Sequence, residues 1–288
     1  MATGKNIRTY FQGKWHDGDV YVMRAADHGA WLGTNVFDGA RYAHGLTPDL
    51  RAHCQRLNDS AEAMGITPTH SSDEMCRITG EGLKPYAQDT AVYIRPMYWA
   101  LHGGHLAVQA RPGATEFCIC LEELPMPDPE KSVALTTTRF ERPVIASAIV
   151  NAKTGCLYPN NARMLAEANA KGFDNALVTD ALGNVAETAT ANVFMTRDDE
   201  VLTPVANGTF LAGITRARII RLLRNAGHRV REAVLSFDDF HAAEEVFLTG
   251  NMSKVTTVSR FDNTHYQPGP VAKAARRLYW EWARSDTD

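Results

Sequence analysis

Asn151-Ala152-Lys153-Thr154-Gly155-Cys156-Leu157-Tyr158 lies just past the middle of a 288-residue chain, after a largely apolar run from Val144 to Val150. A lysine in low-polarity surroundings gives up its proton more readily and can form a Schiff base with an aldehyde. Read alone, Lys153 is more simply an exposed lysine at a strand end, the usual place for its type. Three downstream segments bear on the choice. In Gly183-Asn184-Val185-Ala186-Glu187-Thr188-Ala189-Thr190-Ala191-Asn192-Val193-Phe194, an acid sits among small residues between two strand-like runs. A carboxylate there is costly to bury unless paired, and an exposed edge-strand glutamate is the plain alternative. Leu211-Ala212-Gly213-Ile214-Thr215-Arg216 puts a glycine before a helix start, where free backbone N–H groups at the positive dipole end suit a phosphate. Thr249-Gly250-Asn251-Met252-Ser253 follows a short strand and reads as a second anion-binding turn or as an ordinary polar loop.

Singly these signals are weak, but their order is informative. A Schiff-base lysine, a buried acid and two phosphate-type turns are what pyridoxal phosphate requires. The acid keeps the pyridine nitrogen protonated so that the ring can withdraw electrons. The turns neutralise the phosphate, and the lysine holds the aldehyde and moves the proton.

Composition narrows the field further. With 44% hydrophobic and 22% charged residues, the chain is ordinary globular protein of one or two domains. A net charge of −3 without a long basic run argues against nucleic acid as a partner. No apolar stretch approaches the roughly 18–20 residues of a membrane span. Met1-Ala2-Thr3-Gly4-Lys5-Asn6 lacks the apolar core of a signal peptide, so a cytoplasmic location is expected. Cysteines 54, 76, 118, 120 and 156 are odd in number and lack a CxxC pair, which argues against a disulfide framework or a zinc site; no metal is expected. GxGxxG, P-loop, HExxH and GxSxG signatures are all missing, which removes the main support for dinucleotide, nucleotide and zinc-protease readings.

Pro125-Met126-Pro127-Asp128-Pro129-Glu130 cannot sit in a helix interior or a central strand. It predicts a linker at 125–132 between a smaller N-terminal domain, 1–124, and a larger C-terminal domain, 133–288. In the first, a hairpin is expected around Gln12-Gly13, a strand at Val20-Tyr21-Val22, and a helix that Thr47 caps and Pro48 begins, carrying Leu50, Cys54, Leu57, Ala61 and Met64 at helical spacing up to Gly65. A second helix from Ser72 through Leu83 and strands at 91–98 and 116–121 follow. In the second, strands are expected at 133–138, 175–179, 184–186, 192–196, 201–202 and 245–248. Helices are expected at 160–171, from a Thr215 cap to Gly227, after a Ser236/Asp239 capping box, and at 270–283. Without regular βαβα alternation, the fold class is α+β.

Taken together, the chain resembles the class IV (fold type IV) pyridoxal-phosphate aminotransferases, most closely the branched-chain aminotransferases, over nearly its whole length. Besides the segments above, Gly33-Thr34-Asn35-Val36-Phe37-Asp38-Gly39-Ala40-Arg41 looks like the family's G-T-x-V-F-x-G-x-R. Gln55-Arg56-Leu57-Asn58-Asp59-Ser60-Ala61 looks like its Q-R-L-x-x-S-A helix, and Tyr93-Ile94-Arg95-Pro96 like its Y-I-R-P strand. The resemblance implies a two-domain fold like that of D-amino-acid aminotransferase, with the cofactor held between the domains. It implies that Lys153 is the Schiff-base lysine, that Tyr158 hydrogen-bonds the ring O3′ and that Glu187 faces the pyridine nitrogen. Arg56, Ile214, Thr215 and Asn251 would hold the phosphate, and Phe37, Tyr93, Arg95 and Met252 would line the substrate side, with Arg95 answering the second carboxylate of 2-oxoglutarate. The implied partners are a small amino donor and a 2-oxo acid acceptor, and the implied assembly is at least a homodimer. The chain departs from the branched-chain pattern at Leu32, Leu157, Ala191 and Asn251, where that pattern usually has tyrosine, asparagine, glutamate and threonine. A D-amino-acid or (R)-amine transaminase, or an aminodeoxychorismate-type lyase, shares the fold and stays open.

Overall fold

The computed structural model describes residues 4–285, so Met1-Ala2-Thr3 of the segment read for a signal peptide lie outside the described residues. The chain divides into two compact units, Met1–Met126 with Asn151–Leu157, and Pro127–Val150 with Tyr158–Asp288. The Lys153 segment, expected in the 133–288 domain, therefore belongs to the first unit. Backbone pairing explains the correction: Thr154 bridges to Val36, and the Lys153 amide donates to Ser60 Oγ at 3.0 Å.

In the first unit, β1 (Lys5–Phe11) and β2 (Lys14–Asp17) form the expected hairpin. Gln12 and Gly13 both have positive φ, 51° and 80°, which the tight two-residue turn needs. Val20–Val22 forms no strand; Gly18, at φ +99°, breaks the extended backbone just before it, and Tyr21 is fully exposed. After α1 (His28–Trp31), two short strands, β3 (Asn35–Phe37) and β4 (Ala40–Tyr42), fall inside the G-T-N-V-F-D-G-A-R segment. Both pair antiparallel with β5 (Val92–Ala100), which pairs along its length with β6 (Thr115–Glu123). The sheet runs β2-β1-β6-β5-β3.

Against this sheet pack α2 (Leu50–Ala63) and α3 (Ser72–Leu83). The apolar stripe Leu50, Cys54, Leu57 and Ala61 is buried, as its spacing requires, in one core with Ile94, Tyr98 and Leu121. The start of α2 is later than expected. Asp49 is its boundary residue at φ +60°, a left-handed conformation that no helical first turn tolerates, so neither Thr47 nor Pro48 begins it. Ser71 and Glu74 make a reciprocal capping box for α3.

The second unit contains β7 (Val133–Thr137), α4 (Tyr158–Ala170), β8 (Asn175–Thr179), β9 (Val185–Thr188), β10 (Asn192–Arg197), β11 (Glu200–Pro204), α5 (Ile214–Asn225), β12 (Arg229–Ala233), α6 (Phe237–His241), β13 (Glu245–Gly250), β14 (Lys254–Phe261), β15 (Thr264–His265) and α7 (Pro270–Ser285). Its mixed sheet is ordered β12-β11-β10-β13-β14-β7-β8-β9, with β15 against β14. The two-residue period of a strand buries both faces. Val193 and Met195 point into one core with Leu248, while Phe194 and Phe247 stack at 5.0 Å in another with Ile219 and Leu223 of α5 and Tyr279 of α7. The sequence pattern does not single out β12 or β14. The first, Arg229-Val230-Arg231-Glu232-Ala233, is polar and exists by parallel pairing to β11. Among the described residues, no helix is long and apolar enough to cross a membrane.

Candidate active site

Lys153 is pinned through its main chain. Its carbonyl accepts from the Phe37 amide at 3.1 Å and its own amide donates to Ser60 Oγ of α2. The side chain is half-buried, and its Nζ stands 4.8 Å from the centroid of the Phe37 ring. The apolar surface at Lys153 thus includes Phe37 of β3. Of the run 144–150, Val144, Ile145 and Ile149 are exposed and Val150 is buried.

Phe37 is followed by Asp38, which is fully buried. Its Oδ1 accepts from His53 Nδ1 at 2.7 Å and from the Gly39 amide at 2.7 Å. Arg56 grips the same carboxylate through Nε at 2.7 Å and Nη2 at 2.9 Å. His53 and Arg56 are three apart on α2 and so share a face. Burial alone would raise the Asp38 pKa, but the charges of Arg56 and His53 outweigh it and hold the carboxyl well below its usual range. Arg56, expected to meet a phosphate, is thus oriented by a buried carboxylate.

Tyr93 and Arg95 lie on the half-buried face of β5, two residues apart. The Tyr93 hydroxyl fills the space over Gly39, where a Cβ would stand 2.2 Å from it. The Arg95 guanidinium lies 5.7 Å from the Tyr93 ring and forms an ion pair with Glu122 of β6, a residue only 1% exposed.

In the second unit, Glu187 on β9 is buried, against the exposed edge-strand reading. Its Oε1 meets Arg142 Nη2 at 3.0 Å and its Oε2 accepts from Asn192 Nδ2 at 3.1 Å. Arg142 is itself anchored on the Thr188 carbonyl and Asn161 Oδ1, both at 2.8 Å. Asn192 also donates to the Leu211 carbonyl at 3.3 Å and packs against Gly213, where a Cβ would stand 2.0 Å from its Oδ1. Gly213 is the N-cap of α5 and no side chain caps that helix; Thr215, expected as the cap, is its buried second residue. Asn192 pairs in register with Thr249, so the turn after β13 adjoins the same asparagine. Thr249 Oγ1 and Asn251 Nδ2 are buried there with no hydrogen-bond partner. Tyr158 opens α4 and is 37% exposed, and Met252 is 43% exposed in the turn.

The model of the family "Amino-transferase class IV" matches residues 35–261. The chain belongs to the class IV aminotransferases. A branched-chain-amino-acid aminotransferase of Salmonella typhimurium is 29% identical to this class IV aminotransferase over 303 residues, covering 100% of this chain and 96% of the relative. The crystal structure of a Brucella abortus aminotransferase bound to the cofactor PLP is similar at 56% identity and a TM-score of 0.95, covering 96% of this chain and 99% of that one. An Escherichia coli branched-chain amino acid aminotransferase structure is similar at 26% identity and a TM-score of 0.89, covering 98% and 96%.

Asp38, Glu122, Arg142 and Asn192 carry no role in the sequence pattern alone. Asp38 stands inside a quoted motif, so a buried acid next to a positioned arginine was open to question there. For Arg142, whose carboxylate partner is 45 positions away, no local signal exists.

Proposed function

We propose that this class IV aminotransferase uses pyridoxal phosphate to move the amino group of a branched-chain or other hydrophobic amino acid to 2-oxoglutarate. The observation that carries the reading is the position of Asn192. It joins the buried Glu187 carboxylate to the uncapped start of α5 and, by strand pairing, to a turn with unpartnered buried donors. A carboxylate beside a set of anion donors fits a cofactor that carries both a basic ring nitrogen and a phosphate.

When bound, the cofactor supplies an electron sink for the charge that develops at the substrate Cα. In the proposed roles, Glu187 faces the ring nitrogen and keeps its proton there, while Arg142 and Asn192 hold the carboxylate in place. The start of α5 at Ile214 and Thr215, together with Asn251 and Arg56, binds the phosphate, and Tyr158 hydrogen-bonds the ring oxygen. Lys153 Nζ takes the proton from the substrate Cα, and returns one to the corresponding carbon of the 2-oxo acid in the reverse half-reaction. Phe37, Tyr93 and Met252 offer the substrate side chain an apolar surface. A cytoplasmic location and a homodimer are part of the same proposal.

One observation favours a second reading, a D-amino-acid or (R)-amine transaminase with a single-carboxylate acceptor. Arg95 is already paired with buried Glu122, which lowers the charge available for the second carboxylate of 2-oxoglutarate. The two readings separate when L-leucine, D-alanine and (R)-1-phenylethylamine are each assayed with 2-oxoglutarate and with pyruvate. Lys153→Ala is expected to abolish transamination and the visible absorbance of the coloured holoenzyme with any pair; full activity in that variant would sink both.

A further inference from the structure

Lys254 opens β14 in a left-handed conformation, φ +64°, and is completely buried. Its ammonium donates to Asn251 Oδ1 at 2.7 Å and lies 5.4 Å from the Tyr279 ring of α7. An ammonium has only protons to offer, so the amide atom it meets must be the oxygen. That fixes which way the amide of Asn251 faces. With Oδ1 committed to Lys254, the Nδ2 group is turned to the other side, where it is buried and has no partner. A buried amide N–H₂ without an acceptor is a costly feature to keep, and so is a buried ammonium. The cost at the amide is met if its free side is where an anionic ligand oxygen binds. Thr249 Oγ1, also buried and without a partner, adds a second donor at the end of β13.

We propose that Lys254 is a positioning residue that locks the Asn251 amide with its N–H₂ toward the cofactor phosphate, a role that rests on the pyridoxal-phosphate reading above. A hydroxyl at position 251 donates by rotating about a single bond and needs no such lock. An asparagine presents oxygen as readily as nitrogen, and an oxygen facing phosphate repels it. The lysine removes that ambiguity.

The test is a double-variant cycle on the full-length apo protein, with pyridoxal phosphate and inorganic phosphate as separate probes and dissociation constants read by equilibrium binding. Lys254→Met is expected to weaken both probes about tenfold when residue 251 is Asn, and less than about twofold in an Asn251→Thr background. Pyridoxal without its phosphate should be unaffected. An equal loss in both backgrounds, no loss at all, or an equal loss with pyridoxal overturns the assignment. If Lys254→Met does not fold, Asn251→Asp decides. It keeps a partner for the lysine but replaces the donor by a charge, so the apo urea midpoint should hold while phosphate affinity collapses; retained phosphate affinity overturns the proposal. Phosphate binding that depends on Lys254, in a protein that takes no pyridoxal phosphate, would refute the functional reading alone.

Discussion

Replacing Glu187 by glutamine is usually regarded as a gentle change, but here the surroundings make it a harsh one. Both carboxylate oxygens accept: Oε1 from Arg142 at 3.0 Å, Oε2 from Asn192 Nδ2 at 3.1 Å. Glutamine offers one acceptor and one donor. With its oxygen toward Arg142, its N–H₂ opposes the N–H₂ of Asn192, which is also committed to the Leu211 carbonyl. With its oxygen toward Asn192, its N–H₂ opposes a guanidinium held on the Thr188 carbonyl and Asn161. Either way one hydrogen bond to a buried polar group is lost and two donors face each other. A bond to a charged group contributes about 1.5–3 kcal/mol, so Glu187→Gln should lower apo-protein stability by about 2 kcal/mol. Urea unfolding of the apo protein reads this as a lower midpoint at unchanged slope. Turnover should fall as well, because an amide cannot keep a proton on a ring nitrogen. An apo protein within about 0.5 kcal/mol of wild type would refute the two-donor account of this site.

Three further outcomes follow from the same geometry. For Asp38, burial pushes the pKa up, but Arg56 and His53 outweigh it, so the folded value lies below the unfolded one of 3.8. Its stabilisation is therefore complete above about pH 4 and is lost as pH falls from there toward the folded value. Stability should thus drop more steeply between about pH 4 and pH 2 in wild type than in Asp38→Asn; equal slopes by acid titration of the urea midpoint contradict this. Gly213→Ala puts a Cβ 2.0 Å from Asn192 Oδ1, so Asn192 must give up its hold on Glu187. Equilibrium binding should show pyridoxal-phosphate affinity falling about tenfold, the equivalent of one hydrogen bond, and unchanged affinity would mean that Asn192 is not needed. Glu122→Gln releases the charge of Arg95, so kcat/KM for 2-oxoglutarate should rise about tenfold relative to pyruvate; an unchanged ratio removes Arg95 from acceptor recognition.

Much of this molecule was legible locally. The hairpin at Gln12-Gly13, the apolar stripe of α2, the capping box at Ser236 and the helix end at Gly172 are set by residues within a few positions of one another. Local signals fail where a longer-range constraint overrides them. Thr47 and Pro48 have the composition of a helix start, yet Asp49 takes a left-handed turn in front of α2. Val20-Tyr21-Val22 has strand propensity but no sheet partner, whereas polar β12 has a partner and becomes a strand. Strand existence depends on the neighbour as much as on the sequence.

The same division holds for the candidate site. By itself the sequence determined the chemical inventory, a lysine, an acid and glycine-led turns in a family order, because residue type and spacing are written in one dimension. Tertiary structure alone decided how those groups are held. It turned Arg56 onto Asp38, Glu187 between Arg142 and Asn192, Arg95 onto Glu122, and Lys254 onto the oxygen of Asn251. A buried charge must find its counter-charge or hydrogen-bond partner wherever the fold brings one within about 3 Å, and sequence distance sets no limit on that search.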